Sequence, residues 1–321
     1  MLCTAVIKKL ISYAALQRSH HMIEKPALLR PTLDVVFKML FARKRGHGAL
    51  IGLLNAILKP ASKITSVEVQ NPHIPKLLID DKGTILDIHV KLDDGTLLDI
   101  EMQMAPHESL AKRALYYASR MYATELGAGD FYSLLRPVIV IFLLAEDLFP
   151  ARPDEFAVGF SLHQDDDGPA VFKAELSGQM QIKFYEIGKA FRLWQTRQLP
   201  PDDVSLGAWL GFLADPSSQS VEEACMSIPE LKDAKVALEE LSAEDEAREI
   251  ARIREKSRLH WDSLMDEARR KGKAEGKEDA SLAFLKALLT APETNKLPDA
   301  KVAELTGLPL DVVIKFRAET K

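Results

Sequence analysis

The feature that most constrains this chain is a pair of carboxylates in two strand-like segments on either side of one tight turn. Asp87 lies within Leu86-Asp87-Ile88, Glu101 lies within Ile100-Glu101-Met102, and the turn between them is Asp93-Asp94-Gly95. Both acids are flanked by apolar residues in the alternation typical of β-strands. A carboxylate embedded in a sheet is unfavourable unless a partner neutralises it, and a divalent cation is a suitable partner. The pattern therefore predicts a hairpin that carries chemistry.

The length of the turn decides whether the two acids share one face of the hairpin. A two-residue turn would place them on opposite faces, because side chains alternate along a strand. A three-residue loop that ends in a left-handed Gly95 instead pairs Leu92 with Thr96. Asp87 then lies directly across from Glu101, with Cβ atoms about 5 Å apart. The hydrophobic pattern favours this loop, because it gives an apolar face (Leu86, Ile88, Val90, Leu98, Ile100, Met102) and a polar face (Asp87, His89, Asp99, Glu101, Gln103).

The order of the remaining elements predicts an α/β sandwich, a mixed sheet flanked by helices. Pro31-Thr32 opens a helix that Thr32 is expected to cap. The apolar run over 138–144 follows a helix and predicts a strand buried on both faces and parallel to its neighbour. The other predicted elements are helices over 49–58 and 108–126 and strands over 64–69, 85–92, 96–104, 156–162, 170–176 and 181–187.

Composition excludes some classes of protein and leaves others open. The chain has 321 residues, 47% of them hydrophobic, which is enough for at least one sizeable core. The net charge of −5 gives no overall basic signal for nucleic acid, although a local basic groove and a metal can still handle a phosphate. Cys3 and Cys225 form no motif, so we expect a cytoplasmic protein without a disulfide framework. No segment is apolar for long enough to predict a membrane span.

The polar face of the hairpin predicts a metal site. Asp87 and Glu101 are expected to hold one Mg²⁺ or Mn²⁺ together with water molecules. Gln103 points to the same side and is expected to orient a water molecule or contact a phosphate, since an amide cannot take up a proton at neutral pH. Asp34, in the first turn of the first helix, is the candidate that completes the acidic cluster.

Each of these features also has a plainer structural interpretation. Asp34 and Lys38 are four residues apart on a helix and are also consistent with an exposed ion pair. Asp87 and Glu101 are equally consistent with a solvated sheet face. His89 and Asp99 are consistent with either a second metal pair or a hydrogen-bonded surface pair. Arg113, Tyr117 and Arg120 are consistent with either helix-surface residues or a row that faces phosphate.

Four segments in this order resemble those of a known family. They are Asp34-x-x-Phe37-Lys38, Leu86-Asp87-Ile88, Ile100-Glu101-Met102-Gln103, and a helix with Arg113, Tyr117 and Ser119. The chain is thereby similar to the PD-(D/E)XK nuclease family transposases, also called Rpn recombination-promoting nucleases.

The resemblance implies a restriction-endonuclease-like core with element order αβββαβ, metal-dependent DNA cleavage, and a role in recombination or mobile elements. By position, Asp87 and Glu101 would be the metal ligands, Gln103 would replace the superfamily lysine, and Asp34 would be an accessory acid. The residues expected to bind the DNA substrate are Lys38, Arg113 and Tyr117.

Four parts of the chain are predicted. They are an N-terminal arm over 1–30, a nuclease-like domain over 31–215, a charged helical segment over 216–280, and a helical hairpin over 281–321. Within the arm, the first 21 residues are interpreted as an upstream extension or a disordered segment. Glycines within 271–277 predict a flexible charged joint. An apolar stripe in the charged segment predicts either a helix that packs on the body or a coiled segment that forms a homodimer, and it comprises Ile250, Ile253, Ser257, Trp261, Leu264 and Ala268.

Three functions remain as hypotheses. The first is a Mg²⁺-dependent DNA endonuclease, which the joint presence of Asp34, Asp87, Glu101 and Gln103 favours. The second is a catalytically weak or silent protein that binds DNA and forms oligomers, which the missing lysine and the overall acidity favour. The third, hydrolysis of a small phosphoester, would require a closed pocket in place of an open groove.

Overall fold

The computed structural model describes residues 27–71, 87–104, 109–162, 176–291 and 293–319. The predicted arm up to residue 26 lies outside these residues, as do Leu86 and the predicted strand over 170–176 except for its last residue.

Six strands in the described part of the chain form one mixed sheet in the order β1-β2-β3-β4-β6-β5. Their bounds are Val67–Val69 (β1), Ile88–Leu92 (β2), Leu97–Gln103 (β3), Val138–Leu144 (β4), Ala157–Ser161 (β5) and Met180–Glu186 (β6). β1 with β2, β2 with β3 and β5 with β6 are antiparallel pairs. β4 lies parallel to both β3 and β6, which confirms the prediction from its continuous apolar run.

The helices of the described residues precede the hairpin, cross over between the strands, and follow the sheet. Their bounds are Asp34–Phe41 (α1), His47–Leu58 (α2), Leu110–Thr124 (α3), Ile187–Gln195 (α4), Val204–Ala214 (α5), Gln219–Cys225 (α6), Pro229–Ala243 (α7), Asp245–Thr290 (α8), Asp299–Thr306 (α9) and Leu310–Glu319 (α10). The N-cap residue of α1 is Leu33, so the predicted cap at Thr32 is wrong. Thr32 is instead buried beneath the start of the helix.

Two apolar cores cover the two faces of the sheet. On one face, Ile88, Val90 and Ile100 of the hairpin join a large core that includes α1, α2, α5 and α7. On the other face, Ala114 and Ala118 of α3 pack against alternate residues of β4 and β6 in a smaller core. β4 contributes to both cores and is buried along its whole length, as its sequence predicts. The hairpin β2–β3 therefore turns its apolar face toward α1 and its polar face toward α3.

The register of the hairpin is the one predicted for a three-residue loop. Ile88 pairs with Ile100 and His89 pairs with Asp99, and the N–H of Leu92 donates to the carbonyl of Thr96 at 2.9 Å. Gly95 has φ +86°, the left-handed conformation that such a loop requires. Continuing this register by one residue places Asp87 across from Glu101.

The chain divides into two compact units, Met1–Glu255 and Lys256–Lys321, and the division falls within α8. In the second unit α8 continues through Gly272 and Gly276, so the interruption predicted at 271–277 is wrong. The lysine, alanine and glutamate residues around these glycines are strong helix formers and offset the cost of about 1 kcal/mol per glycine.

A small apolar core in the second unit joins the end of α8 to α9 and α10 through Leu285, Leu289, Val302 and Val313. A left-handed Gly307 ends α9, and the Arg317 guanidinium donates to the carbonyl of Leu297 at 2.7 Å. The second helix of this hairpin thus uses Arg317 for internal contacts. Among the described residues, no helix is long and apolar enough to cross a membrane.

Candidate active site

A cavity of about 640 Å³ lies beside the polar face of the hairpin and the C-terminal half of α3. The polar and charged side chains that line this cavity include Asp87, His89, Asp99, Glu101, Tyr117 and Arg120. Strand alternation brings the acids to one side, because positions 87, 89, 99 and 101 share a face in the observed register. The central assumption of the sequence interpretation, that Asp87 and Glu101 face a common space, is confirmed.

Three side chains of this face form a compact group of metal-ligating atoms. His89 Nε2 lies 2.7 Å from Asp87 Oδ2 and 3.5 Å from Asp99 Oδ1. One ligand atom from each of the three residues lies within 4.8 Å of the others. The side chain of Asp99 is only 3% exposed, so the interpretation of His89 and Asp99 as a surface pair is wrong. The interpretation as a metal pair stays a prediction.

Glu101 is the most deeply buried acid of the site. Its residue is 0% exposed, and neither carboxylate oxygen has a hydrogen-bond partner within the described part of the chain. The nearest cation is the Arg113 guanidinium, with Nη2 3.6 Å from Glu101 Oε2. Burial, together with the negative charge of Asp99, raises the pKa of Glu101 to about 8. A solvated sheet face is therefore the wrong description of this residue, and its oxygens are suited to a cation.

The charges of the cluster are interdependent. Burial and the neighbouring Asp87 raise the pKa of Asp99 to about 7. The hydrogen bond with Asp87 raises the pKa of His89. Burial opposes ionisation of Asp87, but the hydrogen bond from His89 and the charge of Lys38 hold its pKa below the ordinary value. The group thus combines one ionised carboxylate, one imidazole and two buried acids that a bound cation would stabilise in the ionised form.

Gln103 and α3 form one edge of the site. The Arg113 guanidinium donates to Gln103 Oε1 at 2.7 Å, and the Arg113 Cζ atom lies 5.9 Å from the centroid of the Tyr117 ring. Burial and the charge of Glu101 raise the pKa of Tyr117. Arg113 and Tyr117 are thereby placed beside Glu101 and Gln103, which supports the interpretation of a row of residues facing the site.

Lys38 and Asp34 of α1 have contacts that differ from the predicted exposed ion pair. Lys38 is 3% exposed, and its Nζ donates to the backbone carbonyl of Asp87 at 2.9 Å. Burial lowers the pKa of Lys38, while Asp87 and Asp99 oppose this effect. Asp34 accepts hydrogen bonds from Arg254 of α8, from Nε to Oδ1 at 3.0 Å and to Oδ2 at 3.1 Å and from Nη2 to Oδ2 at 2.6 Å. The interpretation as an exposed pair is wrong, and the role of Asp34 as an accessory acid stays a prediction.

Arg254 is one of the residues near the predicted site that the sequence did not reveal; Asn71, which donates to Asp87 Oδ1 and accepts from the N–H of His89, is another. Arg254 lies 220 positions from Asp34, in a helix where arginine and glutamate are frequent. No local pattern distinguishes it from the arginines that stay in solvent, so only pairing information between distant positions would have identified it.

A mixed sheet flanked by helices, with buried acids on a central hairpin that faces a crossover helix, defines a nuclease-like α/β protein. The model of the PD-(D/E)XK nuclease family transposases matches residues 31–268, and the chain belongs to this family. Comparison with curated proteins and with solved structures gives no match. Membership confirms the predicted fold class, a PD-(D/E)XK-type core followed by an α-helical C-terminal region.

Proposed function

We propose that this protein is a metal-dependent DNA endonuclease that acts in recombination or with mobile elements. Family membership indicates a nuclease-like function. The observation that carries the more specific proposal is the state of Glu101, a fully buried carboxylate without a hydrogen-bond partner in the described part of the chain. Arg113 lies 3.6 Å from Glu101 without a hydrogen bond to it, so the carboxylate is suited to bind a proton or a second cation.

The donor set fits a divalent cation. Asp87 and Glu101 would hold Mg²⁺ or Mn²⁺ through carboxylate oxygens, which are hard ligands suited to both ions. A metal bound there would activate a water molecule and stabilise negative charge on a phosphoryl oxygen. Asp34 would act as an accessory acid one helix away, with its orientation set by Arg254.

Positive charge around the acids would attract the DNA backbone, and Arg113 would contact it. The Arg113 guanidinium is held by Gln103 and stacks near Tyr117, so its orientation is set before a phosphate arrives. Lys38 is buried, so it would add a second positive charge from the opposite side of the hairpin rather than a direct contact with DNA. Gln103 cannot supply the charge of a lysine, but its amide can position water or a phosphate oxygen. In this arrangement, positive charge comes from two helices that flank the hairpin.

The test is nicking of supercoiled plasmid DNA in Mg²⁺, in Mn²⁺ and in EDTA. Wild type is expected to nick only with metal, and the variants Asp87→Ala and Glu101→Ala are expected to lose nicking. Glu68→Gln, which changes an exposed acid on β1 of the same sheet, serves as the matched control and is expected to retain it. Metal-dependent nicking that survives both alanine substitutions would mean that Asp87 and Glu101 are not the catalytic metal site.

The second candidate is a protein that binds DNA and forms oligomers without cutting. The observation that favours it is Gln103 at the position of the superfamily lysine. Fluorescence anisotropy with labelled DNA in EDTA separates the two candidates. Binding without nicking in any metal would support the second, and nicking supports the first.

A homodimer through the C-terminal helical region and a cytoplasmic location remain part of the proposal. Large apolar side chains of α8 are about half exposed in the second unit, namely Leu259, Trp261, Leu264 and Met265. Trp261 and Leu264 belong to the predicted apolar stripe, Met265 lies beside them on the same helix face, and these three would pack against a second copy of the chain. Light scattering of wild type and Trp261→Glu tests this, since the charge would prevent pairing.

A further inference from the structure

We propose that His89 is a nitrogen ligand of the metal site and that it makes the site prefer Mn²⁺ or Co²⁺ to Mg²⁺. The inference rests on the proposed function, because it names the class of metal that the same site takes. It assigns the ligand set to His89 and Asp99 in addition to the two carboxylates proposed above.

The geometry of the three side chains is that of ligands around one ion. Octahedral coordination at about 2.1 Å places adjacent ligand atoms about 3 Å apart and opposite ones about 4.2 Å apart. His89 Nε2 is 2.7 Å from Asp87 Oδ2 and 3.5 Å from Asp99 Oδ1. All three ligand atoms lie within 4.8 Å of one another. Little movement is needed for the three to share a cation.

A separate observation indicates that the space beside this group is built for a cation. Glu101 lines the same cavity, is 0% exposed, and has two carboxylate oxygens without a hydrogen-bond partner among the described residues. Asp99 Oδ1 is likewise buried and lacks one. A cation held by His89 and Asp99 would give Asp99 Oδ1 a partner, and Glu101 faces the same cavity.

The chemistry of the donors decides the preference. Sites made of carboxylates and water suit Mg²⁺, Ca²⁺ and Mn²⁺, whereas an imidazole nitrogen suits later first-row metals. Affinity for a nitrogen-containing site rises from Mn²⁺ to Co²⁺, while Mg²⁺ gains little from replacing water with nitrogen. A histidine among three acids therefore shifts the preference away from Mg²⁺.

The structure also allows an opposite role for His89, as an internal cation that neutralises Asp87 and Asp99. In that role protonated His89 would compete with a metal for the same carboxylate oxygens of Asp87 and Asp99. The two roles predict opposite changes in metal affinity when His89 is replaced. Removal of a ligand weakens metal binding, and removal of a competitor strengthens it.

The experiment is binding of Mn²⁺ and Mg²⁺ to the full chain without DNA, measured by calorimetry for wild type, His89→Gln and His260→Gln. His260 is exposed on α8 and provides the matched control. His89→Gln is expected to weaken Mn²⁺ binding at least about 10-fold, because loss of a residue that merely supports a ligand already costs about 10- to 100-fold. Mg²⁺ binding is expected to change less than about threefold, and His260→Gln is expected to bind both ions as wild type does.

Pulsed electron paramagnetic resonance of the Mn²⁺ complex supplies a readout that needs no variant. Wild type is expected to show nitrogen modulation from a coordinated imidazole, and His89→Gln is expected to lose it. Wild type without nitrogen modulation would overturn the inference, as would unchanged or tighter Mn²⁺ binding by His89→Gln.

The outcomes keep the inference and the proposed function apart. Nitrogen modulation in a protein that never nicks DNA would retain His89 as a ligand and reject the endonuclease. Metal-dependent nicking by a protein without nitrogen modulation would keep the endonuclease and reject His89 as a metal ligand.

Discussion

Replacing Glu101 with glutamine is expected to stabilise the metal-free protein while abolishing its response to metal. In the folded chain the pKa of Glu101 is raised to about 8, mainly by burial, from an ordinary value of 4.5. A buried carboxyl with a raised pKa favours folding at low pH, and this contribution is lost as the pH rises from 4.5 through 8. Glutamine keeps the shape of the side chain and does not titrate.

The magnitude follows from the size of the shift. Each pKa unit corresponds to about 1.4 kcal/mol. At pH 7 an ionised Glu101 in the unfolded chain therefore favours unfolding by about 3 kcal/mol, and above pH 8 the effect approaches about 5 kcal/mol. The free energy of unfolding of Glu101→Gln relative to wild type should therefore increase by about 4 kcal/mol between pH 4.5 and pH 8. Any fixed cost of the buried amide shifts the whole curve equally.

The assay is urea unfolding in EDTA at a series of pH values, followed by tryptophan fluorescence. Trp209 is 1% exposed in the core of the first unit and reports on that unit. Glu68→Gln is the control, since it removes an exposed acid from the same sheet and is expected to follow wild type. Parallel curves for wild type and Glu101→Gln from pH 5 to pH 9 would refute the argument, because they would mean that Glu101 titrates normally.

Three further predictions concern other parts of the structure. Arg254→Met leaves the buried Asp34 carboxylate without its ion-pair partner, and we expect the free energy of unfolding in urea to fall by about 3 kcal/mol. The double variant that also carries Asp34→Asn should recover part of this loss. Gly95→Ala places a Cβ at φ +86° and 3.1 Å from the Arg136 side chain, so we expect a loss of about 1 to 2 kcal/mol in the same assay, and an unchanged midpoint would contradict the loop geometry. Mn²⁺ at about 100 times its dissociation constant is expected to stabilise wild type by about 2.7 kcal/mol in thermal unfolding. Asp87→Ala should show no such shift, and an equal shift in both proteins would place the metal elsewhere.

The hairpin could be derived from the sequence because the forces that set it are local. Alternating apolar residues and a left-handed Gly95 together allow one register, and that register brings Asp87 and Glu101 to one face. The parallel placement of β4 followed from the same kind of pattern, because a strand without polar residues must be covered on both faces.

The helical tail shows where local patterns fail. Glycine is a weak helix breaker, and at Gly272 and Gly276 the strong helix formers nearby prevail, so α8 continues. The N-cap residue of α1 is Leu33, and the Thr32 side chain that was predicted to cap the helix is buried.

Sequence patterns alone were sufficient for the mixed sheet and for the side of the hairpin that carries the acids, because periodicity and turn chemistry act over a few residues. The family was indicated separately, by the resemblance of four segments in order. The degree of burial of Asp99 and Glu101 depends on α3 covering them, and the pairing of Asp34 with Arg254 joins positions 220 apart. Burial and long-range pairing are properties of packed elements, and they set the raised pKa values and the charge of the site. The tertiary structure thus converts an acidic strand face into a candidate metal centre.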